Sequence, residues 1–213
     1  MDHEGYIKFN CNWIKSCNIP ILKLKKINYW RQKLYALGLI GAYSNGIGFG
    51  NISIRITNSE KFVITGSATG NIKKLNGSHY AKVIAYDLEK NRLTCKGPIK
   101  ASSESLTHAS LYKSDKKIRG VMHVHNLGLW KHLINKVNKV PSTSKNVAYG
   151  SQEIAEDIVR LFKETDVKNK KIIAMRGHKG GIISFGKNLD EAGKILLSYP
   201  SHFFFSPIRN CSK

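Results

Sequence analysis

The segment SSESLTHASLYKSDKKIRGVMHVH, residues 102–125, constrains the fold more than any other part of the chain. Its end belongs to a predicted strand at residues 118–126, where β-branched and apolar residues follow a glycine. Side chains alternate across a strand, so His123 and His125 point to one face, about 7 Å apart along it. The apolar residues between them point to the opposite face and into a core. Both imidazoles can therefore approach one metal ion.

The first half of this segment is predicted to be a helix over residues 103–113, because apolar residues recur at helical spacing after serines that suit an N-cap. Either Ser102 or Ser103 serves as that cap. Glu104 then lies in the first turn, where the helix dipole favours a carboxylate. A helix start beside the strand would present an acid/base group and two metal ligands to one cleft.

A third histidine, His178, follows the apolar run KIIAM at residues 171–175 as the end of an Arg-Gly-His motif. The run is predicted to be a strand, so His178 lies at a strand end. Three histidine ligands with an open fourth position are typical of a catalytic zinc site. Each piece also has a plainer interpretation. A His-x-His pair is often structural or exposed, and a carboxylate at a helix start often only interacts with the dipole.

Small, polar loops lie beside several predicted strands and suit the binding of an anion. Residues 44–55 form a glycine-rich turn that runs into a strand, but without the GxGxxG pattern or a following helix. Glycines there can bring backbone N–H groups close to an anion, although an ordinary hairpin entry has the same composition. Residues 66–70 form a second such loop and Ser102-Ser103 a third. The three could converge on one phosphate.

The rest of the pattern mixes strands and helices. Helices are predicted at residues 27–43, 127–137, 151–164 and 189–197. Further strands are predicted at residues 61–65, 79–87, 91–96 and 180–185. Ile7 and Phe9 alternate with their neighbours like a short strand. Such a mixture favours one central sheet with helices on its faces.

With 213 residues, 41% of them hydrophobic, the chain is long enough for one full core, and a single domain over residues 1–213 is expected. No apolar run approaches the roughly 18–20 residues of a membrane helix. The first residues do not follow the pattern of a signal peptide. Four scattered cysteines form no CxxC motif. A cytoplasmic protein with free thiols is therefore expected.

The charge of the chain is strongly positive, with 35 lysines and arginines against 14 acidic residues and a net charge of +21. Such a charge raises nucleic-acid binding as a hypothesis. The lysines are dispersed, however, and their short clusters are not joined by aromatic residues for base stacking. Nucleic acid is therefore not expected as the main partner. A small anionic substrate such as a sugar phosphate would benefit from the same field.

The order of these motifs resembles the class II aldolase/adducin family over roughly residues 28–197. The motifs are GNISIR at residues 50–55, a Thr-Gly loop, Ser-Ser-Glu, His-Val-His, a late histidine, and then Phe-Gly and Glu-Ala pairs. The resemblance implies an α/β fold, a three-layer α/β/α arrangement with a mostly antiparallel central sheet. It also implies a homotetramer with sites at subunit interfaces.

Carried over residue by residue, the resemblance implies three groups of site residues. The metal ligands, with Zn²⁺ or another divalent ion as cofactor, are His123, His125 and His178. The acid/base carboxylate is Glu104. The phosphate-binding positions are Gly50, Asn51, Thr69, Gly70, Ser102 and Ser103.

The implied function is that of a zinc-dependent, aldolase-like lyase. It would cleave or form a C–C bond in a small phosphorylated sugar through a metal-stabilised enediolate. Glu104 resembles the acid/base glutamate of the family's aldolases. The family's epimerases have an aspartate at the matching position, so the resemblance favours lyase chemistry. Dehydratase, decarboxylase or epimerase chemistry on a related sugar phosphate is the alternative within the same site. A non-catalytic scaffold similar to adducin is the alternative outside the enzymes.

Departures from the family pattern bear on the substrate. The family's Thr-Pro-x-Gly loop is replaced by TGSATG at residues 65–70, so Thr65-Gly66 is an alternative to Thr69-Gly70 as the matching pair. Lys179 follows the third histidine, where the family has glycine. Tyr199 is the candidate for a tyrosine that the family's aldolases contribute from a neighbouring subunit. The tail, with three consecutive phenylalanines, must pack on the body or on a neighbour.

Overall fold

The computed structural model describes residues 6–57, 59–148 and 150–204, and one large sheet crosses it. Within these residues the strands are, in chain order, β1 (Asn10–Lys15), β2 (Gly41–Ala42), β3 (Gly48–Phe49), β4 (Asn51–Arg55), β5 (Phe62–Thr65), β6 (Tyr80–Asp87), β7 (Arg92–Gly97), β8 (Gly120–His125), β9 (Ile172–Ala174) and β10 (Gly181–Gly186). The main sheet has the order β1-β7-β6-β5-β4-β8-β10-β9, while β2 and β3 form a separate short hairpin. Only β1 and β7 pair in parallel among these described strands.

Helices cover both faces of the sheet. In the described part of the chain they are α1 (Lys25–Ala36), α2 (Ser105–Ser114), α3 (Leu127–Ile134), α4 (Gln152–Glu164), α5 (Val167–Lys170) and α6 (Leu189–Leu197). One apolar core lies between the sheet and the layer of α2 and α4, and a second lies beneath α1, α3 and α6. The predicted three-layer α/β/α fold with a mostly antiparallel sheet is confirmed. None of the described helices has both the length and the apolar character that a bilayer span requires.

Strand β8 lies between β4 and β10 and is buried on both faces. Met122 and Val124 belong to the core beneath α1, α3 and α6. Because side chains alternate along a strand, His123 and His125 point to the face that α2 and α4 cover. The predicted alternation of this strand is confirmed.

The helix predicted at residues 27–43 is wrong at its C-terminal end, because α1 stops well before residue 43. Gly38 adopts a φ of +67°. The backbone N–H groups of Gly38 and Leu39 donate to the carbonyl groups of Tyr35 and Leu34, at 3.0 and 2.9 Å. This is the hydrogen-bond pattern of a Schellman motif, in which a left-handed glycine ends a helix. The apolar residues after it enter the core and lead into β2.

Helix α2 begins later than predicted, and neither Ser102 nor Ser103 occupies its N-cap. The Ser102 carbonyl accepts hydrogen bonds from the backbone N–H and the hydroxyl of Ser105, at 3.0 and 2.6 Å. This turn precedes the helix and leaves Glu104 at the N-cap position instead of in the first turn. The helix predicted at residues 127–137 is also too long, since α3 ends at residue 134.

The N-terminal segment, which lies outside the family resemblance, adds an edge strand to the sheet. The strand predicted around Ile7 and Phe9 is wrong in position, because β1 starts at residue 10. Phe9 is instead buried in the core beneath α2 and α4. Trp13 Nε1 donates to the Gly97 carbonyl at 3.0 Å, on the neighbouring strand β7. The start of β1 is therefore set by its pairing with β7, which lies far along the chain.

The described C-terminal residues pack on the body, as the sequence predicts. Phe204 is buried and Phe203 is partly buried against the core beneath α1, α3 and α6. Tyr199 is partly buried in the same layer, with its ring 6.1 Å from that of His132. Phe205, the last phenylalanine of the run, lies outside the described residues.

Arg31 ties α1 to the loop that follows β5. Its guanidinium group is buried and donates to the carbonyl oxygens of Thr69, Gly70 and Lys73, at 3.0, 3.1 and 3.1 Å. Hydrogen bonds from a charged donor are roughly twice as strong as neutral ones. One of the predicted anion-binding loops is therefore held in place from α1.

We expect the substitution Arg31→Met to lower the free energy of unfolding by about 2–4 kcal/mol, because three carbonyl oxygens lose a buried donor. Chemical denaturation of both proteins measures the difference. The matched control is Lys25→Met, at an exposed position on the same helix, which should change the free energy by less than about 0.5 kcal/mol. Equal stability of Arg31→Met and the parent protein would contradict the role of this side chain.

Candidate metal and substrate site

Three histidines meet at the end of the sheet where β8 finishes. His123 and His125 lie on β8, and His178 lies in the tight turn between β9 and β10. Two hydrogen bonds hold this turn: the His178 N–H donates to Met175 and the Gly181 N–H donates to the His178 carbonyl, at 3.1 and 2.8 Å. One ring nitrogen from each histidine lies within 4.8 Å of the other two, and all three side chains are buried.

The spacing of these nitrogens fits a metal ion. The Nε2 atoms of His123 and His125 are 3.1 Å apart. Two nitrogens that are each about 2.1 Å from a tetrahedral ion lie about 3.4 Å apart. The rings of His123 and His125 pack edge to face, with their centroids 4.9 Å apart, and the His178 ring centroid is 4.5 Å from that of His125. The three residues could therefore hold one ion with a position left for substrate.

The charge state of the cluster suits ligands for a cation. Burial lowers the pKa of His123 and of His125 well below the usual range, and repulsion from the neighbouring imidazoles lowers it further. Both rings are therefore neutral near neutral pH, and a neutral imidazole offers a lone pair to a metal ion.

Tyr43 contacts one of the three histidines from behind. Its Oη atom lies 2.8 Å from Nδ1 of His125. The Phe49 ring, from the same β2-β3 hairpin, lies 5.4 Å from the His125 ring. Sequence reasoning missed both residues, since Tyr43 was included in a predicted helix. The one sequence signal near these residues is the glycine-rich turn, which lies within the hairpin and indicates a turn instead of a helix.

Glu104 is buried beside the histidine cluster. The Thr107 hydroxyl donates to its Oε2 atom at 2.7 Å, and its Oε1 atom lies 3.5 Å from Nδ1 of His178. One carboxylate oxygen is thus held by the first turn of α2, and the other lies next to a candidate metal ligand. A carboxylate in this position can accept or return a proton on a molecule bound at the cluster.

A cavity of about 250 Å³ opens beside the cluster. Most of the residues predicted for the site line it: Gly50, Asn51, Thr69, Gly70, Ser102, Ser103, Glu104, His123 and His178. His125 adjoins it through His123. The three small, polar loops of the sequence analysis do converge, as the sequence predicts. Within the described residues, the buried Asn51 Oδ1 atom has no hydrogen-bond partner, so it is available to a polar ligand.

Two of the glycines in these loops are required by packing. Gly50 has a φ of +75°, and an added Cβ atom would lie 2.8 Å from Ile40 Cγ1. An added Cβ atom on Gly70 would lie 2.2 Å from the Gly41 carbonyl oxygen. The loop after β5 therefore packs directly on the β2-β3 hairpin, backbone against backbone.

The structure also separates the two Thr-Gly pairs. The Thr65 hydroxyl accepts the Ile52 N–H at 3.3 Å inside the sheet, whereas Gly66, Thr69 and Gly70 line the cavity. The Thr69 hydroxyl donates to the Gly66 carbonyl at 2.8 Å and so closes the loop on itself. Of the two threonines, only Thr69 lines the cavity.

The departure after the third histidine has a structural explanation. Lys179 is exposed. The glycine that makes room beside the cluster comes two positions later: an added Cβ atom on Gly181 would lie 3.2 Å from both His123 Cε1 and His178 Cγ.

Tyr6 forms part of the cavity wall, although it lies before β1. Its neighbours hold the segment in place: Ile7 and Phe9 pack on the core beneath α2 and α4, and Asn91 Nδ2 donates to the Lys8 carbonyl at 2.9 Å. No motif in the sequence pointed to this residue.

Comparison with known families identifies the chain. Residues 32–199, which are most of the chain, match the family model described as the class II aldolase and adducin N-terminal domain. The chain belongs to this family. The resemblance stated from the motifs is therefore confirmed. None of the curated proteins compared with the chain is significantly similar to it in sequence.

Solved structures share the fold of this family member at low identity. An L-fuculose 1-phosphate aldolase is 17% identical with a TM-score of 0.62, over 84% of this chain and 82% of that one. A sugar-phosphate aldolase from Thermotoga maritima is 16% identical with a TM-score of 0.62, over 83% and 90%. YgbL from Escherichia coli, described as an aldolase/epimerase/decarboxylase, is 16% identical with a TM-score of 0.60, over 84% of each chain.

A buried polar network lies behind the site of this class II aldolase family member. Ser53 Oγ contacts Nδ1 of His108 at 2.6 Å and the Tyr112 hydroxyl at 2.7 Å. His108 is fully buried on α2, and within the described residues no hydrogen-bond partner reaches its Nε2 atom. Burial lowers the pKa of His108 to about 3. The folded protein therefore keeps this imidazole neutral well below the usual pKa of histidine, about 6.5.

The stability of the metal-free protein should consequently fall in mild acid. Below about pH 6.5 the unfolded chain binds a proton at residue 108, and the folded chain does not until the pH approaches 3. Each such histidine contributes a slope of about 1.4 kcal/mol per pH unit. We expect His108→Gln to have the shallower dependence, measured by denaturation in the presence of a chelator. Parallel pH profiles for the two proteins would contradict the assignment, whatever the offset between them.

Proposed function

We propose that this chain is a metal-dependent, aldolase-type lyase that cleaves or forms a C–C bond in a small phosphorylated sugar. The observation that carries the proposal is the meeting of three buried histidines, a buried carboxylate and glycine-rich loops around one cavity. Two proteins with the same fold are named as aldolases of sugar phosphates. Zn²⁺ is the proposed ion, because three histidine ligands with an open position are typical of catalytic zinc.

His123, His125 and His178 would hold the ion, which when bound supplies Lewis-acid polarisation of a substrate carbonyl. Glu104 would move the proton that is lost or gained as the C–C bond forms or breaks. Its distance of 3.5 Å from His178 Nδ1 supports this role, because a substrate carbonyl bound at the ion would lie close to the carboxylate. The 2.7 Å hydrogen bond from Thr107 fixes the orientation of the carboxylate. Proton transfer by such a group contributes about 10²–10⁴-fold to a rate.

The phosphate of the substrate would bind at the other end of the cavity. The backbone N–H groups at residues 68–70, with the hydroxyl groups of Ser102 and Ser103, are the proposed donors, and Gly50 and Asn51 line the same part of the cavity. Arg31 supports this role indirectly, because it binds the carbonyl groups of the second loop from behind. The net charge of +21 favours the approach of an anion.

Dehydratase, decarboxylase or epimerase chemistry on a related sugar phosphate uses the same elements, a polarised carbonyl and a proton carrier. The glutamate at position 104 favours the lyase. A non-catalytic scaffold is the weaker proposal, because three converging, buried histidines beside a buried carboxylate suit catalysis. A single domain over residues 1–213, a homotetramer and a cytoplasmic location stay predictions.

Metal content tests the proposal first. Purified protein should contain about one zinc or similar ion per chain by mass spectrometry, and a variant with His123, His125 and His178 all replaced by alanine should contain none. A parent protein that has no metal and takes up no added zinc would refute the lyase and leave the scaffold.

The substitution Glu104→Gln should keep the metal and lose at least about 10²-fold in kcat, because the amide keeps the size of the side chain but cannot carry the proton. The assay follows the cleavage of a panel of ketose phosphates, with metal content measured on the same samples. Glu89→Gln, at an exposed turn position, is the matched control and should keep full activity. Full activity of Glu104→Gln would remove this residue from the mechanism.

A further inference from the structure

The hydroxyl group of Tyr43 contacts the candidate metal site without facing the cavity. It lies 2.8 Å from Nδ1 of His125, while Nε2 of the same ring lies 3.1 Å from Nε2 of His123. The two nitrogens of His125 therefore have different roles. Nε2 points into the histidine cluster, and Nδ1 points away from it to the phenol oxygen of Tyr43.

This geometry matters because a ring nitrogen that binds a metal cannot also carry a proton. When Nε2 of His125 gives its lone pair to an ion, the ring proton must be on Nδ1. Nδ1–H then donates a hydrogen bond, and the Tyr43 hydroxyl oxygen accepts it. Such a partner fixes both the tautomer and the rotation of a ligating histidine, and its loss typically lowers metal affinity by about 10–100-fold.

Tyr43 is itself held firmly. The Tyr43 N–H donates to the Ile47 carbonyl and the Gly46 N–H donates to the Tyr43 carbonyl, both at 2.9 Å, so the turn between β2 and β3 closes around it. Its ring packs against that of Phe49, with the centroids 4.7 Å apart. The oxygen thus reaches His125 from a residue whose backbone is hydrogen-bonded within the turn and whose partly exposed ring packs on Phe49.

We propose that Tyr43 is a positioning residue for the metal site: its hydroxyl accepts the Nδ1–H of His125 and keeps Nε2 aimed at the ion. The proposal rests on the proposed function, in which His125 is a metal ligand. It adds a residue that contacts neither the substrate nor the ion. The hairpin that carries Tyr43 also lines the cavity through Gly48 and Gly50, so one element serves both halves of the site.

The test is the affinity of the metal-free protein for Zn²⁺, measured by competition with a chromophoric chelator, in the parent and in Tyr43→Phe. Phenylalanine keeps the packing on Phe49 and removes only the oxygen. We expect an unchanged stoichiometry and a dissociation constant raised by about tenfold or more. Tyr29→Phe, at an exposed tyrosine on α1, is the matched control and should bind zinc as the parent does.

A second readout separates positioning from a general loss of structure. In the zinc-loaded parent, the ¹⁵N shifts of His125 should indicate a protonated Nδ1 in a single tautomer. In Tyr43→Phe the same signals should shift or broaden, while the thermal midpoint of the metal-free protein stays close to that of the parent. Identical zinc affinity and identical His125 signals in Tyr43→Phe would overturn the proposal.

The outcomes also distinguish this inference from the proposed function. If the parent binds zinc and Tyr43→Phe binds it equally well, only the role of Tyr43 is refuted. If only Tyr43→Ala is weakened, the ring and not the hydroxyl supports the site, which also refutes the proposal. If the parent binds no zinc, the metal site fails and the role of Tyr43 fails with it.

Discussion

The site depends on the pairing of β8 with its two neighbours. In the ladder with β4, Asn51 lies opposite His123, and in the ladder with β10, Gly181 lies opposite His125. These pairings bring three pieces of the chain to the same end of the sheet: the start of β4, the end of β8 and the turn before β10. A shift of one residue would turn both histidines into the apolar core and Met122 toward the cavity. Backbone hydrogen bonds therefore bring the three histidines together, and side-chain contacts act only on the orientation of groups already placed there.

That arrangement carries an energetic penalty. Buried polar groups are unfavourable unless they have partners, and three imidazoles and a carboxylate are buried together here. The protein offsets part of the penalty with specific hydrogen-bonding contacts, among them Thr107 to the carboxylate and Tyr43 to His125. It also keeps the imidazoles of His123 and His125 neutral through burial. Desolvation of these rings lowers the stability of the folded state. The same desolvation keeps the rings neutral, and a neutral ring can bind a cation.

Most of the fold and the core of the site could be predicted from local pattern and motif order. Strand β8 and helix α6 follow their periodicity closely, and the three loops meet as their composition indicates. The errors have physical reasons. Helix α1 ends at Ala36, and the left-handed Gly38 that terminates it lies within an apolar run that hides this signal. Other features depend on residues that are far apart in sequence, which no local periodicity encodes. They are the start of β1, the hydrogen bonds of Arg31 to a distant loop and the contact of Tyr43 with His125.

The glycines illustrate why composition alone could not identify an anion site. Gly50 and Gly70 are needed because backbone packs on backbone around them, with or without a ligand. What favours an anion is the result of that packing: polar loops that line one cavity beside Ser102 and Ser103 in a strongly basic protein. The cavity also has a wall at Tyr6, which lies outside the matched residues 32–199. The matched residues thus supply the histidines, the carboxylate and the loops, while the cavity wall also includes a residue that precedes the matched segment.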